Sequence, residues 1–139
     1  METRQIFTNG CFDVLHKGHI ELLKYCKGLG YVTVGLNSDE SVTRLKGIGR
    51  PVNSQEDRKL MLESLKYVDQ VVIFGEDTPL RLIQELRPDV IVKGGDYTST
   101  NVIGNEIAKV MIFSTVKGYS TTETLKRIST SNIKENKEI

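Results

Sequence analysis

The chain has 139 residues, of which 38% are hydrophobic and 27% charged, and its formal net charge is +1. This length fits one domain that buries a core without disulfides. The balanced charge gives no support to nucleic-acid binding, and no apolar run approaches the roughly 18 residues of a membrane span. Cys11 and Cys26 do not form a CxxC motif and predict reduced thiols rather than a disulfide or zinc site. The amino terminus has no apolar signal region, so a cytoplasmic protein is expected.

Apolar runs of strand length alternate with segments of helical period along the chain. The predicted strands are, in chain order, Gln5–Thr8, Tyr31–Leu36, Val71–Phe74, Val90–Val92 and Val110–Phe113. The predicted helices are Ile20–Leu29, Ser54–Leu65, Pro79–Leu86 and Glu123–Ile128. Because the strands are apolar throughout, they indicate a parallel sheet that is buried on both faces. The sequence therefore predicts a single α/β domain over residues 1–129, with a doubly wound parallel sheet and helices on both faces. A polar tail follows at residues 130–139.

The residues suited to chemistry follow the ends of the predicted strands, where parallel α/β sheets bind ligands. Residues 8–19, after the first strand, read TNGCFDVLHKGH. His16 and His19 are three residues apart at a helix start and therefore face the same way, while Gly18 lets the backbone approach a ligand. The free N–H groups and the positive dipole of a helix N-terminus attract anions. Two histidines there can stabilise phosphate charge, although the pair alone is also compatible with two surface histidines near a turn.

Residues 8–19 resemble the GxFDxxHxGH signature of the HxGH nucleotidyltransferase superfamily, in its cytidylyltransferase-like branch. The resemblance continues in order over nearly the whole chain, at Asn37–Asp39, Arg58, Lys93–Tyr97 and Ser120–Thr122. Within that branch, residues 44–47, 50–53, 76–79 and 93–97 are most similar to the D-glycero-D-manno-heptose 1-phosphate adenylyltransferases. The resemblance implies a Rossmann-like fold. It also implies an enzyme that joins the nucleoside monophosphate of an NTP to a phosphorylated small molecule and releases pyrophosphate.

The resemblance also implies roles for individual residues. His16 and His19 would hold the α-phosphate, and Lys46, on the loop after the second strand, would neutralise phosphate charge. The residues implied in nucleotide binding are Thr8, Asn9, Gly10, Phe12, Asp13, Gly18, Gly94, Asp96, Ser120, Thr121 and Thr122. The residues implied in binding the acceptor are Asn37, Arg44 and Arg58. No carboxylate cluster forms a metal cage, so no protein metal site is predicted, and Mg²⁺ is expected to arrive with the nucleotide phosphates.

Several of these residues have simpler structural interpretations. Arg44 and Lys46 could lie on a solvated loop, and Arg58 could pair with an acidic neighbour. Asp13 could assist Mg²⁺ or orient a histidine, or it could form an Asx-turn. Residues 94–96 could form a plain turn, and residues 120–122 precede Glu123 at the spacing of a helix cap.

The expected reaction is transfer of AMP from ATP to a sugar 1-phosphate, by a homodimer that binds neither nucleic acid nor membrane. Three alternatives stay open: a CTP-dependent cytidylyltransferase for glycerol 3-phosphate or a similar polyol phosphate, a small FAD synthetase of the archaeal kind, and a nucleotide-binding module without catalysis. The chain departs from the family pattern in three places. Leu29-Gly30 runs into Tyr31 without the usual Asp, the segment between Gly104 and Val110 is short enough to predict a turn, and Lys117 stands where an acidic residue is common.

Overall fold

The structure is a computed structural model that describes residues 3–95 and 101–114. The predicted helix Glu123–Ile128 lies outside these residues. So do four of the predicted nucleotide-binding residues, Asp96, Ser120, Thr121 and Thr122. The predicted boundary between a domain ending at residue 129 and a polar tail stays a prediction.

In the described part of the chain, five parallel strands form one sheet. They are β1 (Gln5–Gly10), β2 (Tyr31–Asn37), β3 (Gln70–Phe74), β4 (Val90–Gly94) and β5 (Lys109–Phe113). The order across the sheet is β3-β2-β1-β4-β5. All five predicted strands are confirmed, with ends that differ by at most two residues. The strand order reverses between β1 and β4, and this is where such a sheet opens a crevice for ligands.

Within the described residues, four helices accompany the sheet: α1 (Lys17–Leu29), α2 (Asp39–Lys46), α3 (Gln55–Glu63) and α4 (Leu80–Leu86). Neighbouring residues on β1 separate the core into two halves, because successive side chains of a strand point to opposite faces. Ile6 packs in a cluster with Leu23 of α1 and Leu62 of α3, whereas Phe7 packs in a second cluster with Ile83 of α4. Helices therefore cover both faces of the parallel sheet, and the predicted fold class is confirmed.

The sequence-based prediction of a loop after the second strand was wrong, because α2 occupies that position. Its N-cap is Ser38, whose side chain accepts a hydrogen bond from the backbone N–H of Ser41. Asp39 and Glu40 lie in its first turn, while Arg44 and Lys46 lie in its last, which complements the helix dipole at both ends. The periodicity misses this helix because Val42 is its only buried apolar residue. The Ser-Asp-Glu start was the available signal.

The connection from β4 to β5 ends in a turn, as predicted from its length. Residues 103–107 form this turn. Gly104 has a φ of +94°, and a Cβ there would meet Ile91 Cδ1 at 2.7 Å, so both the backbone and the packing favour glycine. None of the helices within residues 3–95 and 101–114 is long and apolar enough to cross a membrane.

Candidate active site

A cavity of about 620 Å³ opens at the crevice between β1 and β4. The end of β1, the start of α1, the end of α2 and the end of β4 all contribute to its wall. Nine residues of the predicted site line it: Asn9, Gly10, Phe12, His16, Gly18, His19, Asn37, Lys46 and Gly94. Residues from four separate segments of the sequence therefore meet in one space.

The two histidines form a stacked pair at the start of α1. His16 is the N-cap, and its Nδ1 accepts a hydrogen bond from the Gly18 N–H at 3.0 Å. The Nδ1 of His19 accepts from the His16 N–H at 3.3 Å, and the two ring centroids are 3.8 Å apart. Because both Nδ1 atoms accept hydrogen bonds, each neutral ring carries its proton on Nε2. The capping of α1 therefore fixes the tautomer of both rings.

The environment of the pair keeps both rings neutral. Burial lowers the pKa of His16 below 6.5. Burial, together with the neighbouring His16, lowers the pKa of His19 to about 4. At neutral pH each ring is thus a hydrogen-bond donor through Nε2 and carries no charge of its own.

Phe12 packs against this pair through its contact with His19. Its φ of 46° lies in the left-handed region, which is uncommon for a bulky residue and occurs mainly where packing demands it. The ring is 4% exposed, and its centroid lies 5.1 Å from that of His19. A Cβ on Gly10 would come within 3.1 Å of this ring. Because Gly10 has no side chain, the Phe12 ring has room to pack next to His19.

Among the described residues, three cationic side chains line the cavity: Lys46, Arg50 and Lys93. Among the described lining residues, Asp77 carries the only carboxylate, so the wall favours a polyanion. Burial lowers the pKa of Lys93; the Cys11 thiol opposes this shift and the charge of Lys46 adds to it. The two lysines, from α2 and β4, are thus close enough to influence each other.

Sequence reasoning did not select Lys93 and Arg50 as individual site residues. Lys93 lies at the end of β4 in the KGGDY segment, and Arg50 lies in the RPVN segment after α2. Both segments contributed to the family resemblance, and position after a strand was the signal that could have selected Lys93. Nothing local to Arg50 distinguishes it from a surface arginine.

Asp13 is an anchor for the segment 50–53. Its carboxylate is fully buried and accepts from Val52 N–H at 2.8 Å, from Asn53 N–H at 3.0 Å and from Arg50 Nε at 2.9 Å. Burial alone would raise its pKa, but these hydrogen bonds and the Arg50 charge lower the pKa below 3.8. Asp13 does not line the cavity. Its nucleotide-binding role stays a prediction, and its contacts differ from both the histidine-orienting and the Asx-turn interpretations.

The two predicted acceptor-binding arginines lie outside the cavity wall. Arg58 is fully buried; its Nη1 donates to the Cys11 and Asn37 carbonyls at 2.8 Å each, and its Nη2 pairs with Asp39 at 2.8 Å. The structure thus agrees with the acidic-neighbour interpretation of Arg58. Arg44 pairs with Asp77 through Nε at 2.9 Å and donates to the Gly75 carbonyl.

The two remaining predicted residues of this region differ from each other in their surroundings. Asn37 reaches the cavity wall, and its amide Nδ2 donates to Ser41 Oγ at 2.7 Å. Thr8 is 1% exposed and does not line the cavity. Its Oγ1 has no hydrogen-bond partner among the described residues. In the described part of the chain, no group of three or more His, Cys, Asp or Glu side chains could hold a metal ion.

A parallel sheet with a cation-lined cavity at its switch point, and an HxGH pair at the start of α1, define a nucleotidyltransferase. The chain belongs to the cytidylyltransferase-like family, whose model matches residues 7–136.

Individual relatives describe the similarity of this chain in more detail than the family does. Over 125 residues the chain is 54% identical to the bifunctional protein HldE of Helicobacter pylori strain J99, covering 88% of this chain and 27% of that protein. It is 55% identical over 125 residues to the bifunctional protein HldE of Campylobacter concisus, covering 26% of that protein. The chain thus spans about a quarter of the length of these relatives.

Among solved structures, the lipopolysaccharide core biosynthesis protein of Thermoplasma volcanium matches with a TM-score of 0.70 and 26% identity. The match covers 86% of this chain and all of that one. A pantothenate synthetase of Thermus thermophilus, at 15% identity and a TM-score of 0.57, shows the fold alone.

Proposed function

We propose that this enzyme transfers AMP from ATP to a heptose 1-phosphate, giving an ADP-sugar and pyrophosphate. The observation that carries the transfer is the neutral, stacked pair His16–His19 at the start of α1, inside a cavity whose described wall carries Lys46, Arg50 and Lys93. The sugar is supported by the resemblance of residues 44–47, 50–53, 76–79 and 93–97 to heptose 1-phosphate adenylyltransferases. The similarity to a lipopolysaccharide core biosynthesis protein points in the same direction.

In the proposed reaction, an oxygen of the acceptor phosphate attacks the α-phosphorus of ATP in line with the bond to the β-phosphate. The new O–Pα bond forms, the Pα–O bond to the β-phosphate breaks, and pyrophosphate leaves. Such a displacement needs positioning and charge stabilisation more than covalent catalysis. The Nε2–H groups of His16 and His19 would donate to the non-bridging α-phosphate oxygens, where charge develops in the transition state.

Two lysines from different elements would share the phosphate charge. Lys93, at the end of β4, would neutralise the leaving pyrophosphate, and Lys46, at the end of α2, would neutralise charge on the transferring phosphate. Gly94 would admit the nucleoside against the backbone, and Asp96 and residues 120–122 would bind the same nucleotide. The Mg²⁺ that accompanies ATP would neutralise triphosphate charge. Because Asp77 is the only carboxylate among the described lining residues, the nucleotide phosphates would supply most of its ligands.

The test is kcat/KM for two substrate pairs in the presence of Mg²⁺: ATP with heptose 1-phosphate, and CTP with glycerol 3-phosphate. We expect the first pair to be preferred, because a pocket that hydrogen-bonds one base and one sugar rejects an analogue that leaves those groups unpaired. Pyrophosphate release should stop in EDTA. A higher value for the second pair would overturn the choice of substrates. No pyrophosphate release from any NTP with any sugar phosphate, polyol phosphate or FMN would overturn the transfer itself.

A further inference from the structure

Arg50 presents an unusual arrangement in the cavity wall. Only 16% of its side chain is exposed, and its Nε donates to the fully buried carboxylate of Asp13 at 2.9 Å. Its Nη1 and Nη2 atoms have no hydrogen-bond partner in the part of the chain that the structure describes. The side chain lines the cavity, so four N–H donors of one guanidinium remain for a ligand.

Hydrogen bonds to several segments fix the backbone around Arg50. Its carbonyl accepts from Thr43 Oγ1 at 2.7 Å, and its N–H donates to the Gly47 carbonyl at 3.3 Å. Asp13 binds the next two N–H groups along the chain, those of Val52 and Asn53. Asp13 belongs to the same β1–α1 loop as His16, so the guanidinium is fixed relative to the histidines. A donor fixed in this way loses little conformational entropy when it binds a ligand.

The position of Arg50 in the fold distinguishes between the two substrates. The segment that carries it follows β2 and α2, whereas Lys93, which would neutralise the leaving pyrophosphate, lies at the end of β4. These two strands flank β1 on opposite sides, and β1 leads into the histidine pair. In-line displacement requires the attacking and leaving groups to lie on opposite sides of the α-phosphorus. Arg50, which follows β2, is therefore suited to the attacking group, opposite Lys93.

We propose that Arg50 binds the phosphate of the acceptor, with its Nη1 and Nη2 atoms on two phosphate oxygens while a third oxygen attacks the α-phosphorus. This proposal rests on the proposed function and specifies which residue holds the nucleophile. The planar guanidinium matches two oxygens of a phosphate monoester dianion in a way that an ammonium cannot. Asp13 is then a positioning residue that acts through Arg50.

The test is calorimetric binding of heptose 1-phosphate, and separately of a non-hydrolysable ATP analogue with Mg²⁺, to wild type, Arg50→Gln and Arg50→Lys. Losing a charge-assisted pair should weaken heptose 1-phosphate binding about 10–100-fold in Arg50→Gln. Arg50→Lys should fall between, and ATP-analogue affinity should stay within about twofold of wild type. Arg81→Gln is the matched control, because Arg81 is 73% exposed on α4 and pairs with Glu76 and Glu85. It should match wild type in both titrations.

Each outcome separates this inference from the proposed function. Equal acceptor affinity in Arg50→Gln and wild type overturns the inference, as does a loss confined to the ATP analogue. Retained ATP-analogue binding shows that the variant is folded. If wild type binds heptose 1-phosphate through Arg50 but releases no pyrophosphate, the proposed reaction fails, while the phosphate-binding role of Arg50 stands. If wild type prefers glycerol 3-phosphate, the same titrations with that ligand must show the same dependence on Arg50. A wild type that binds no phosphorylated acceptor overturns the inference as well.

Discussion

At the scale of single residues, the structural contact of His16 and its proposed catalytic contact use different atoms of one ring. Its Nδ1 caps α1 by accepting from the Gly18 N–H, and its Nε2–H is the donor proposed for the α-phosphate. His19 repeats the arrangement, with its Nδ1 on the His16 N–H. Because the structural contact uses one nitrogen and the proposed chemical contact uses the other, substitutions can separate stability from catalysis.

His16→Asn and His16→Ala make that separation measurable. Asparagine is a favourable N-cap whose side-chain oxygen can accept from Gly18, whereas alanine loses the cap at a cost of about 1 kcal/mol. Both lack the Nε2–H donor, so both should lower kcat by about 10²–10³-fold with little change in ATP affinity. Steady-state kinetics and urea unfolding check the two expectations. Near-normal turnover in His16→Asn would contradict the catalytic role.

Thr8 offers a second prediction at this scale, because its buried Oγ1 has no partner among the described residues. Valine has nearly the same shape without the hydroxyl. Thr8→Val should therefore raise the free energy of unfolding by about 1 kcal/mol, since an unpaired buried hydroxyl is removed. Urea unfolding of the ligand-free enzyme measures this change. A clear loss of stability would instead show that the hydroxyl has a partner in the folded protein.

At the scale of elements, the site depends on close packing between β1 and β2. Asn9 of β1 is the register partner of Gly35 on β2, and a Cβ on Gly35 would lie 2.7 Å from Phe7 Cζ and 3.3 Å from Asn9 Cβ. Phe7 is fully buried under α4, so its ring cannot move away freely. Gly35 on β2 therefore leaves the space that β1 needs to lie in this position, with its end leading into the histidines.

Gly35→Ala should destabilise the protein by about 1–3 kcal/mol through overpacking against Phe7. Gly28→Ala is the matched control, because Gly28 lies in α1 and a Cβ there would meet nothing within 4 Å. That control should stabilise the protein by about 0.5–1 kcal/mol, since alanine is the better helix former. Both changes are read from urea unfolding midpoints. Equal midpoints for the two variants would contradict the packing argument.

At the scale of the whole molecule, the buried histidines couple stability to pH. The folded protein holds the pKa of His19 at about 4, whereas its ordinary value is 6.5. Between these two values the unfolded chain binds a proton that the folded protein does not bind. Stability is therefore fully present above pH 6.5 and is lost as the pH falls towards 4. His16, whose pKa is also lowered, acts in the same direction.

The expected loss from His19 reaches about 2.5 kcal/mol at pH 4.5, because each pKa unit corresponds to about 1.4 kcal/mol. Urea unfolding from pH 7.5 to 4.5 measures this loss of stability. The range stays above 3.8, the ordinary pKa of the Asp13 and Asp69 carboxyl groups, whose titration would add to the loss. His19→Gln, which cannot titrate, should show a flatter profile. A wild-type profile as flat as that of the variant would show that His19 is not kept neutral by the fold.

The sequence by itself determined the strands, three of the helices and the HxGH pair. These features depend on short-range patterns: continuous apolar runs specify buried parallel strands, and histidines three apart at a helix start share a face. The family signature in residues 8–19 added the class of chemistry. The sequence pattern did not predict the helix α2, because one buried apolar residue is too few to show a hydrophobic period.

Only the tertiary structure decided which distant residues share the cavity. Arg58 and Arg50 are both arginines after α2, yet one is fully buried against carbonyl groups and the other lines the cavity beside Asp13. The same holds for Lys93, whose neighbour Lys46 is 47 positions earlier in the chain. Their roles depend on contacts between segments that local periodicity does not encode. The Nδ1 hydrogen bonds of His16 and His19 are likewise visible only once α1 has a defined first turn.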